Sequence, residues 1–302
     1  YSQQSWLLST LTNEPGEVSV TPPLNPAYPT YGKLLRRAGY QTPYIGKWHV
    51  SFEALAGLEA YGFQGLTTPD PIGYNLQGVV GQKPGTPYYQ YTFLNDQDIS
   101  KQAVQWLSDR RNHRKPWCLT VSFINPHDQE FFWAGTEFQT YNNLFGDGEL
   151  QPAKKYSVPD DPPVVSWDDN PLKSPPSFDH PDVPPNWEST ATLKANKPST
   201  VYMGKLAAAA IFSGDAQDDP NLSEFSVARY PIPDQSVNIG LGIAPYSYWK
   251  RCLDSYTNLM QIVDQRIGEV LDALPRSEAQ NTIIIFASDH GEYAGAHGIM
   301  SG

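Results

Sequence analysis

The sequence predicts an α/β fold, with a largely parallel central sheet, helices on both of its faces and a long irregular, proline-rich excursion. Helix-like and strand-like patterns alternate three times along the chain, and each strand-like run leads into a polar turn. These runs are nearly continuous in apolar residues, as is typical of strands buried on both faces of a parallel sheet. The excursion is indicated by the segment from Pro152 to Pro198, which holds eleven of the 28 prolines, because proline lacks a backbone donor and interrupts helices.

The first helix and strand are predicted between residues 30 and 46. Thr30 is a favourable N-cap, and Gly39 suits the C′ position at which a helix ends. Between them, apolar residues follow helical spacing at Leu34, Leu35 and Ala38. Residues 40–45 then predict a strand that leads into Gly46-Lys47-Trp48-His49.

Two further helix and strand pairs follow the same order. The pattern predicts a helix over 98–111, with one apolar face formed by Ile99, Ala103, Trp106 and Leu107. A strand is predicted over 117–124. The last pair is a helix over 248–274 and a short β-branched strand over 282–286, which we expect to be fully buried.

The length of 302 residues suffices for one large α/β domain, and we interpret residues 1–302 as a single but partial domain. Residues 135–245 are predicted to be an irregular insertion within it that covers the active site. Inside this insertion, residues 205–212 predict a short helix, and Lys205 is a candidate contributor to the pocket.

The composition excludes several classes of partner. A net charge of −11 and a pI near 4.9 argue against nucleic acid and anionic membranes. No run of 18 apolar residues occurs, so the sequence predicts no membrane span. Cys118 and Cys252 lie in a predicted strand and a predicted helix, and we expect both to be buried small apolar residues.

Asp289 and His290 follow the predicted strand at 282–286. In open α/β sheets, ligands bind beyond the carboxyl ends of the strands. A carboxylate beside an imidazole at a buried strand end is costly unless a cation binds there, so the pair is a candidate metal site. The alternative is that Asp289 caps a following helix and His290 only packs.

Cationic side chains follow the other two predicted strands. Lys47 and His49 flank Trp48, so both can point to one side and hold sulfate or phosphate oxygens. His127 follows Pro126, which fixes the turn, and can protonate a leaving group. By spacing alone, a surface lysine, a core-edge histidine and a turn histidine explain the same residues.

Four segments carry a resemblance to a known family. Residues 282–298, T-I-I-I-F-A-S-D-H-G-E-Y-A-G-A-H-G, resemble the second metal-ligand segment of the sulfatases, within the alkaline-phosphatase-like superfamily. The helix at 248–274 is similar to the one that precedes that segment. Residues 31–49, Y-G-K-L-L-R-R-A-G-Y-Q-T-P-Y-I-G-K-W-H, resemble the family's G-K-W-H segment, and S-F-I-N-P-H-D at 122–128 is a fourth match. Their family order makes the four together far more specific than any one alone.

The resemblance assigns roles to individual residues. It implies that Asp289 and His290 are metal ligands, with calcium expected first and magnesium or manganese as alternatives. It implies that Lys47 contacts the nucleophile and the ester oxygens, that His49 assists breakdown of the sulfated intermediate, and that His127 protonates the leaving group. His297 either approaches the substrate or only caps the turn.

The implied activity is metal-assisted hydrolysis of a sulfate monoester, of small-molecule or saccharide type, by a formylglycine nucleophile. The family's C-x-P-S-R segment, which holds the modified cysteine, is expected upstream of Tyr1 and outside this chain. The Asp-His pair also resembles choline-sulfatase-like and phosphonate-monoester-hydrolase-like members, so a phosphonate monoester or phosphodiester hydrolase is the alternative. A non-catalytic binder of a sulfated ligand is the third. Periplasmic or secreted localisation is favoured over cytoplasmic, and oligomeric state is left open.

Overall fold

A computed structural model describes residues 24–48, 58–66, 96–109, 115–127, 129, 150–152, 177–209, 214–223, 226–231 and 238–300. The chain divides into two compact units, each of which is described by itself. The first unit comprises residues 1–73, 80–125 and 262–285, and the second comprises residues 74–79, 126–261 and 286–302.

The first unit contains a three-stranded parallel sheet. Its strands are β1 (Pro43–Gly46), β2 (Gln64–Gly65) and β3 (Thr120–Ser122), in the order β2-β1-β3. All four residues of β1 are buried, as the apolar run predicted. Because Gly46 pairs with Ser122, β1 and β3 reach their carboxyl ends side by side. The predicted parallel pairing of these two strands is confirmed.

Helix α1 (Tyr31–Arg37) has the predicted caps. The Thr30 hydroxyl accepts a hydrogen bond from the Lys33 N–H, and Gly39 has a φ of +89°, the left-handed conformation expected just beyond a helix end. The apolar face is less buried than the pattern indicated, since Leu34 is 52% exposed and Gly32 is the buried residue of the helix.

Helix α2 (Asp96–Ser108) packs the predicted apolar face into the core of the first unit. That face contacts Ile45 of β1 and Ile124 after β3, and consists of Ile99, Ala103, Trp106 and Leu107. The helix begins two residues earlier than predicted, at buried Asp96. The Asp96 carboxylate accepts hydrogen bonds from the backbone N–H groups of Ile124 and Asn125, at 2.7 and 3.1 Å. It accepts a third from the side-chain amide of Asn125 at 2.8 Å. These bonds fasten the end of β3 to the helix.

The second unit contains a mixed four-stranded sheet formed by β4 (Leu150–Pro152), β5 (Asp215–Ala216), β6 (Ser226–Pro231) and β7 (Asn238–Ala244). Strand β7 pairs in parallel with β4 and β5 and antiparallel with β6. Two short helices, α3 (Thr190–Asn196) and α4 (Ser199–Ala208), precede β5. Parts of the predicted irregular insertion at 135–245 therefore form helices and strands, whereas residues 177–189 are irregular as predicted. The proline-rich composition did not reveal most of them because α3, α4, β5, β6 and β7 follow Pro185, beyond the densest run of prolines.

Helix α5 (Tyr248–Ala273) matches the predicted helix at 248–274 and is followed by a short helix α6 (Arg276–Ala279). In the second unit its first turns pack Trp249 and Cys252 against Ala216, Ala244 and Met300. Cys252 is buried as predicted, whereas Cys118 is only partly buried, and neither forms a disulfide. Within the described ranges, no helix is both long and apolar enough to cross a membrane.

The predicted buried strand at 282–286 is wrong. Residues 282–288 form no helix or strand, and the side chains from Ile283 to Phe286 are 59–89% exposed. An apolar, β-branched run becomes a strand only when a neighbouring strand supplies hydrogen-bond partners, and among the described residues none pairs with this run. The apolar composition of the run indicates a preference for burial, but it does not specify the neighbouring strand with which the run would pair.

Candidate functional site

Lys47 leaves the end of β1 with a fixed backbone. Its N–H donates to the Ser122 carbonyl at 3.0 Å, and its own carbonyl accepts from the Tyr44 hydroxyl at 2.6 Å. Gly46 has a φ of +106°, and a Cβ there would lie 1.9 Å from the Ser122 oxygen, so only glycine allows this approach. The ring of Trp48 packs edge-on against Tyr44. Lys47 is thus held at the carboxyl edge of the parallel sheet, whereas His49 lies outside the described residues.

His127 belongs to the second unit and lies in a tight turn. The Gln129 N–H donates to the Pro126 carbonyl at 2.9 Å, which closes the turn around His127. The Gln129 side chain is fully buried, and its amide donates to Cys252 Sγ at 3.1 Å. The turn is therefore anchored to α5, and His127 itself remains partly exposed.

Asp289 and His290 are exposed, which corrects the premise that they lie at a buried strand end. Their side chains are 89% and 71% exposed, and His290 Nε2 lies 3.6 Å from Asp289 Oδ2. The His290 Nδ1 atom lies 2.7 Å from the Gly291 carbonyl. Because water solvates both groups, the pair needs no bound cation to offset a burial cost.

The donor set of this pair still suits a divalent cation in its chemistry. Calcium and magnesium bind carboxylate oxygens, and the imidazole nitrogen leaves room for manganese. Asp289 and His290 supply only two of the roughly six or more ligands that such ions take. No group of three or more potential metal ligands occurs within the part of the chain that the structure describes.

His297 lies in a left-handed turn of the second unit. The φ angles of Ala294, Gly295, His297 and Gly298 are +44°, +91°, +54° and +66°. Two of these residues are not glycine, and such conformations persist only where surrounding contacts enforce them. The turn is closed by a bond from the Gly295 N–H to the Ile299 carbonyl at 2.8 Å.

The residue that contacts His297 most closely was not found from the sequence. His297 Nδ1 lies 2.6 Å from Glu188 Oε2, and the same oxygen lies 3.4 Å from Lys197 Nζ. The hydrogen bond from His297, followed by the charge of Lys197, lowers the pKa of Glu188 below its usual value. Glu188 is 109 residues away along the chain, so no local pattern could pair the two.

Lys205, a candidate for the pocket, is buried in an ion pair instead. It is 2% exposed and lies 3.1 Å from Asp215 Oδ2, with a further bond to the Thr190 hydroxyl at 3.2 Å. Its ammonium also lies 5.4 Å from the centroid of the Trp249 ring. Burial raises the pKa of Asp215, and the charge of Lys205 opposes that rise. Lys205 therefore compensates the charge of buried Asp215 in the interior of the second unit.

Lys47 follows a strand of the parallel sheet in the first unit, and in open α/β sheets ligands bind beyond the carboxyl ends of the strands. A sequence model of the sulfatase family matches residues 5–301, and the chain belongs to the sulfatase family. The resemblance seen in the sequence is confirmed.

Two curated relatives show similarity along most of the chain. It is 25% identical over 293 residues to an N-acetylglucosamine-6-O-sulfatase of Bacteroides thetaiotaomicron, covering 89% of this chain and 45% of that protein. It is 24% identical over 303 residues to a choline-sulfatase of Rhizobium meliloti, covering 90% and 44%. The chain thus spans less than half the length of these relatives.

One solved structure supports the fold. A 2-O GAG sulfatase aligns with a TM-score of 0.51 at 18% identity, over 98% of this chain and 46% of that one. At that identity the likeness concerns the fold alone, and it confirms the predicted α/β class.

Proposed function

We propose that the protein containing this chain hydrolyses a sulfate monoester. The observation that carries the proposal is the family match across residues 5–301. The placement of Lys47 supports it, because a cation at the carboxyl end of a parallel strand lies where α/β enzymes bind their ligands.

In this proposal, Lys47 neutralises negative charge that develops on the sulfate oxygens. Its backbone is held on both sides by Ser122 and Tyr44, so the side chain starts from a fixed point. Such preorganised cations stabilise a transition state because little reorganisation is needed during the reaction. His49, two residues further on, assists release of the sulfate group.

His127 donates a proton to the leaving alcohol or phenol. An imidazole suits this role because its ordinary pKa lies near neutral pH, so it can supply and recover a proton. The buried anchor of Gln129 on Cys252 supports the role by fixing the turn that carries His127. His297 contacts the substrate.

The proposed function also requires a divalent metal and a formylglycine. Asp289 and His290 are the residues that would hold the metal, calcium first and magnesium or manganese as alternatives, and the metal would polarise the sulfate oxygens. Formylglycine, supplied by a segment outside these 302 residues, would provide the nucleophile. Removal of metal with a chelator, followed by return of each ion in turn, tests the requirement. We expect added calcium to restore sulfate hydrolysis in the wild type but not in Asp289→Asn.

The favoured substrate is the sulfate ester of a saccharide, since the relatives include an N-acetylglucosamine-6-O-sulfatase. A phosphonate monoester or phosphodiester is the alternative substrate, because the Asp289-His290 pair resembles that of phosphonate-monoester-hydrolase-like members of the superfamily. Binding of a sulfated ligand without turnover is the non-enzymatic alternative.

Sulfate release by the full-length protein tests the proposal. N-acetylglucosamine 6-sulfate, choline sulfate, 4-nitrophenyl sulfate and a matched 4-nitrophenyl phosphonate are the probes. We expect Lys47→Ala to lower kcat/KM by about 10²–10³-fold, whereas Lys33→Ala, a matched change in α1, leaves it unchanged. Faster turnover of the phosphonate would overturn the sulfatase assignment in favour of the alternative.

Leaving-group dependence tests the role of His127. His127→Ala is expected to reduce hydrolysis of sugar sulfates by about 10²–10⁴-fold, because an alkoxide needs a proton to leave. The loss should be much smaller for 4-nitrophenyl sulfate, since nitrophenolate leaves without protonation. Equal losses on both esters would contradict proton donation by His127.

A further inference from the structure

The segment that faces the His297 turn is itself firmly placed in the second unit. Ser189 caps α3 by accepting a bond from the Thr192 N–H at 3.2 Å, and the Thr190 N–H donates to Asp218 at 2.8 Å. The Trp187 ring packs edge-on against Trp249, with ring centroids 5.9 Å apart. Glu188 therefore starts from a backbone that is fixed on both sides.

The backbone of this segment supports the strained turn. The His297 N–H donates to the Asn186 carbonyl at 3.1 Å. A Cβ on Gly298 would lie 2.2 Å from the Glu188 carbonyl oxygen, so the two backbones approach as closely as glycine permits. These contacts account for the persistence of a left-handed His297, a conformation that a residue other than glycine keeps only where its surroundings enforce it.

The Glu188 side chain determines where the imidazole carries its proton. An ionised carboxylate only accepts hydrogen bonds, so the Nδ1 atom at 2.6 Å must be the protonated nitrogen. Lys197, 3.4 Å from the same carboxylate oxygen, further favours the ionised form. Glu188 thus lies within ion-pair distance of both His297 Nδ1 and Lys197 Nζ.

We propose that Glu188 is a positioning residue for His297, holding the proton on Nδ1 and leaving Nε2 as the nitrogen that meets the substrate. In the neutral ring Nε2 then accepts a hydrogen bond, and in the protonated ring it donates one. A carboxylate partner also fixes the orientation of the ring, as it does for histidines that bind metals. The proposal rests on the proposed function, in which His297 contacts the substrate.

Nitrogen NMR of the full-length protein tests the proton position without any assay of activity. Long-range ¹⁵N–¹H correlations distinguish the two tautomers of a neutral histidine, and His297→Gln identifies the signals of His297 by their loss. We expect the Nδ1–H tautomer in the wild type. It should be lost in Glu188→Ala and retained in Glu188→Gln, whose amide oxygen can still accept the bond.

The Lys197→Gln variant is the matched control, because it removes the other partner of the carboxylate and leaves the His297 bond in place. It should keep the Nδ1–H tautomer. An Nε2–H tautomer in the wild type, which requires no variant to fold, would overturn the proposal. So would an unchanged Nδ1–H tautomer in a folded Glu188→Ala.

Kinetics link the positioning to substrate contact. We expect Glu188→Ala to lower kcat/KM for the preferred sulfate ester by about tenfold, and to add nothing in the His297→Ala background. A further loss in that background would show that Glu188 acts independently of His297 and would contradict the proposal. If no ester is hydrolysed, the proposed function fails while the tautomer result still decides the positioning.

Discussion

Removal of the Lys205 ammonium provides a quantitative test of the buried ion pair in the second unit. Lys205→Met keeps an unbranched side chain that is one atom shorter and removes its charge, which leaves Asp215 without its partner 3.1 Å away. Both residues are buried. Breaking such a pair by removing one partner costs about 3–5 kcal/mol, because the remaining charge is left unpaired in the interior. We therefore expect a loss of this size in the free energy of unfolding.

The variant should also become sensitive to pH. In the wild type, burial raises the pKa of Asp215 and Lys205 opposes the rise. Without Lys205 the folded-state pKa rises further, so the folded protein holds a proton that the unfolded chain releases. Stability is then lost as the pH rises through the interval between these two pKa values. The deficit of Lys205→Met should be smaller at about pH 5 than at about pH 8.

Urea denaturation of the wild type, Lys205→Met, Asp215→Asn and the double variant at both pH values measures these effects as a double-mutant cycle. The double variant should be less destabilised than Lys205→Met, since it buries no unpaired charge. A loss below about 1 kcal/mol for Lys205→Met, or strictly additive losses in the cycle, would refute the buried pair.

Three further predictions concern single positions. Gly298→Ala should lower the free energy of unfolding by at least about 2 kcal/mol, because Gly298 has a left-handed φ and lies close to a carbonyl oxygen. Gly268→Ala in α5, where nothing lies near the added Cβ, should raise it by about 0.5–1 kcal/mol. Equal melting temperatures of the two variants would contradict the turn geometry. Thr30→Ala should cost about 1 kcal/mol in urea denaturation through loss of the N-cap of α1, and an unchanged midpoint would argue against that cap. Burial raises the pKa of both thiols, so a thiol reagent should label buried Cys252 only after unfolding and partly exposed Cys118 slowly before it; rapid labelling of Cys252 in the folded protein would contradict its burial.

Local patterns predicted much of the first unit. The caps at Thr30 and Gly39, the apolar face of α2 and the run in β1 each depend on residues close together in the chain. Helical and strand periodicity records such neighbours directly. The same holds for α5, whose bounds agree with the prediction to within one residue.

Long-range partners could not be predicted in this way. The bonds of Asp96 to Asn125, of Glu188 to His297 and of Lys205 to Asp215 join residues that only the fold brings together. The apolar run at 282–286 failed as a strand for the same reason, since its composition does not specify a pairing partner. The sequence indicated which residue types form the proposed site and their order along the chain. The structure adds the backbone contacts that hold Lys47 and the Glu188 carboxylate that holds His297.

Peptide mass analysis of the native full-length protein tests the proposed sulfatase chemistry most directly. We predict a Cys-x-Pro-Ser-Arg segment upstream of Tyr1 whose cysteine has lost its thiol sulfur and become an aldehyde. A residue at that position that cannot be converted to formylglycine would contradict the proposed hydrolysis. Lys47, His127 and His297 would then belong to a protein that binds a sulfated ligand without cleaving it.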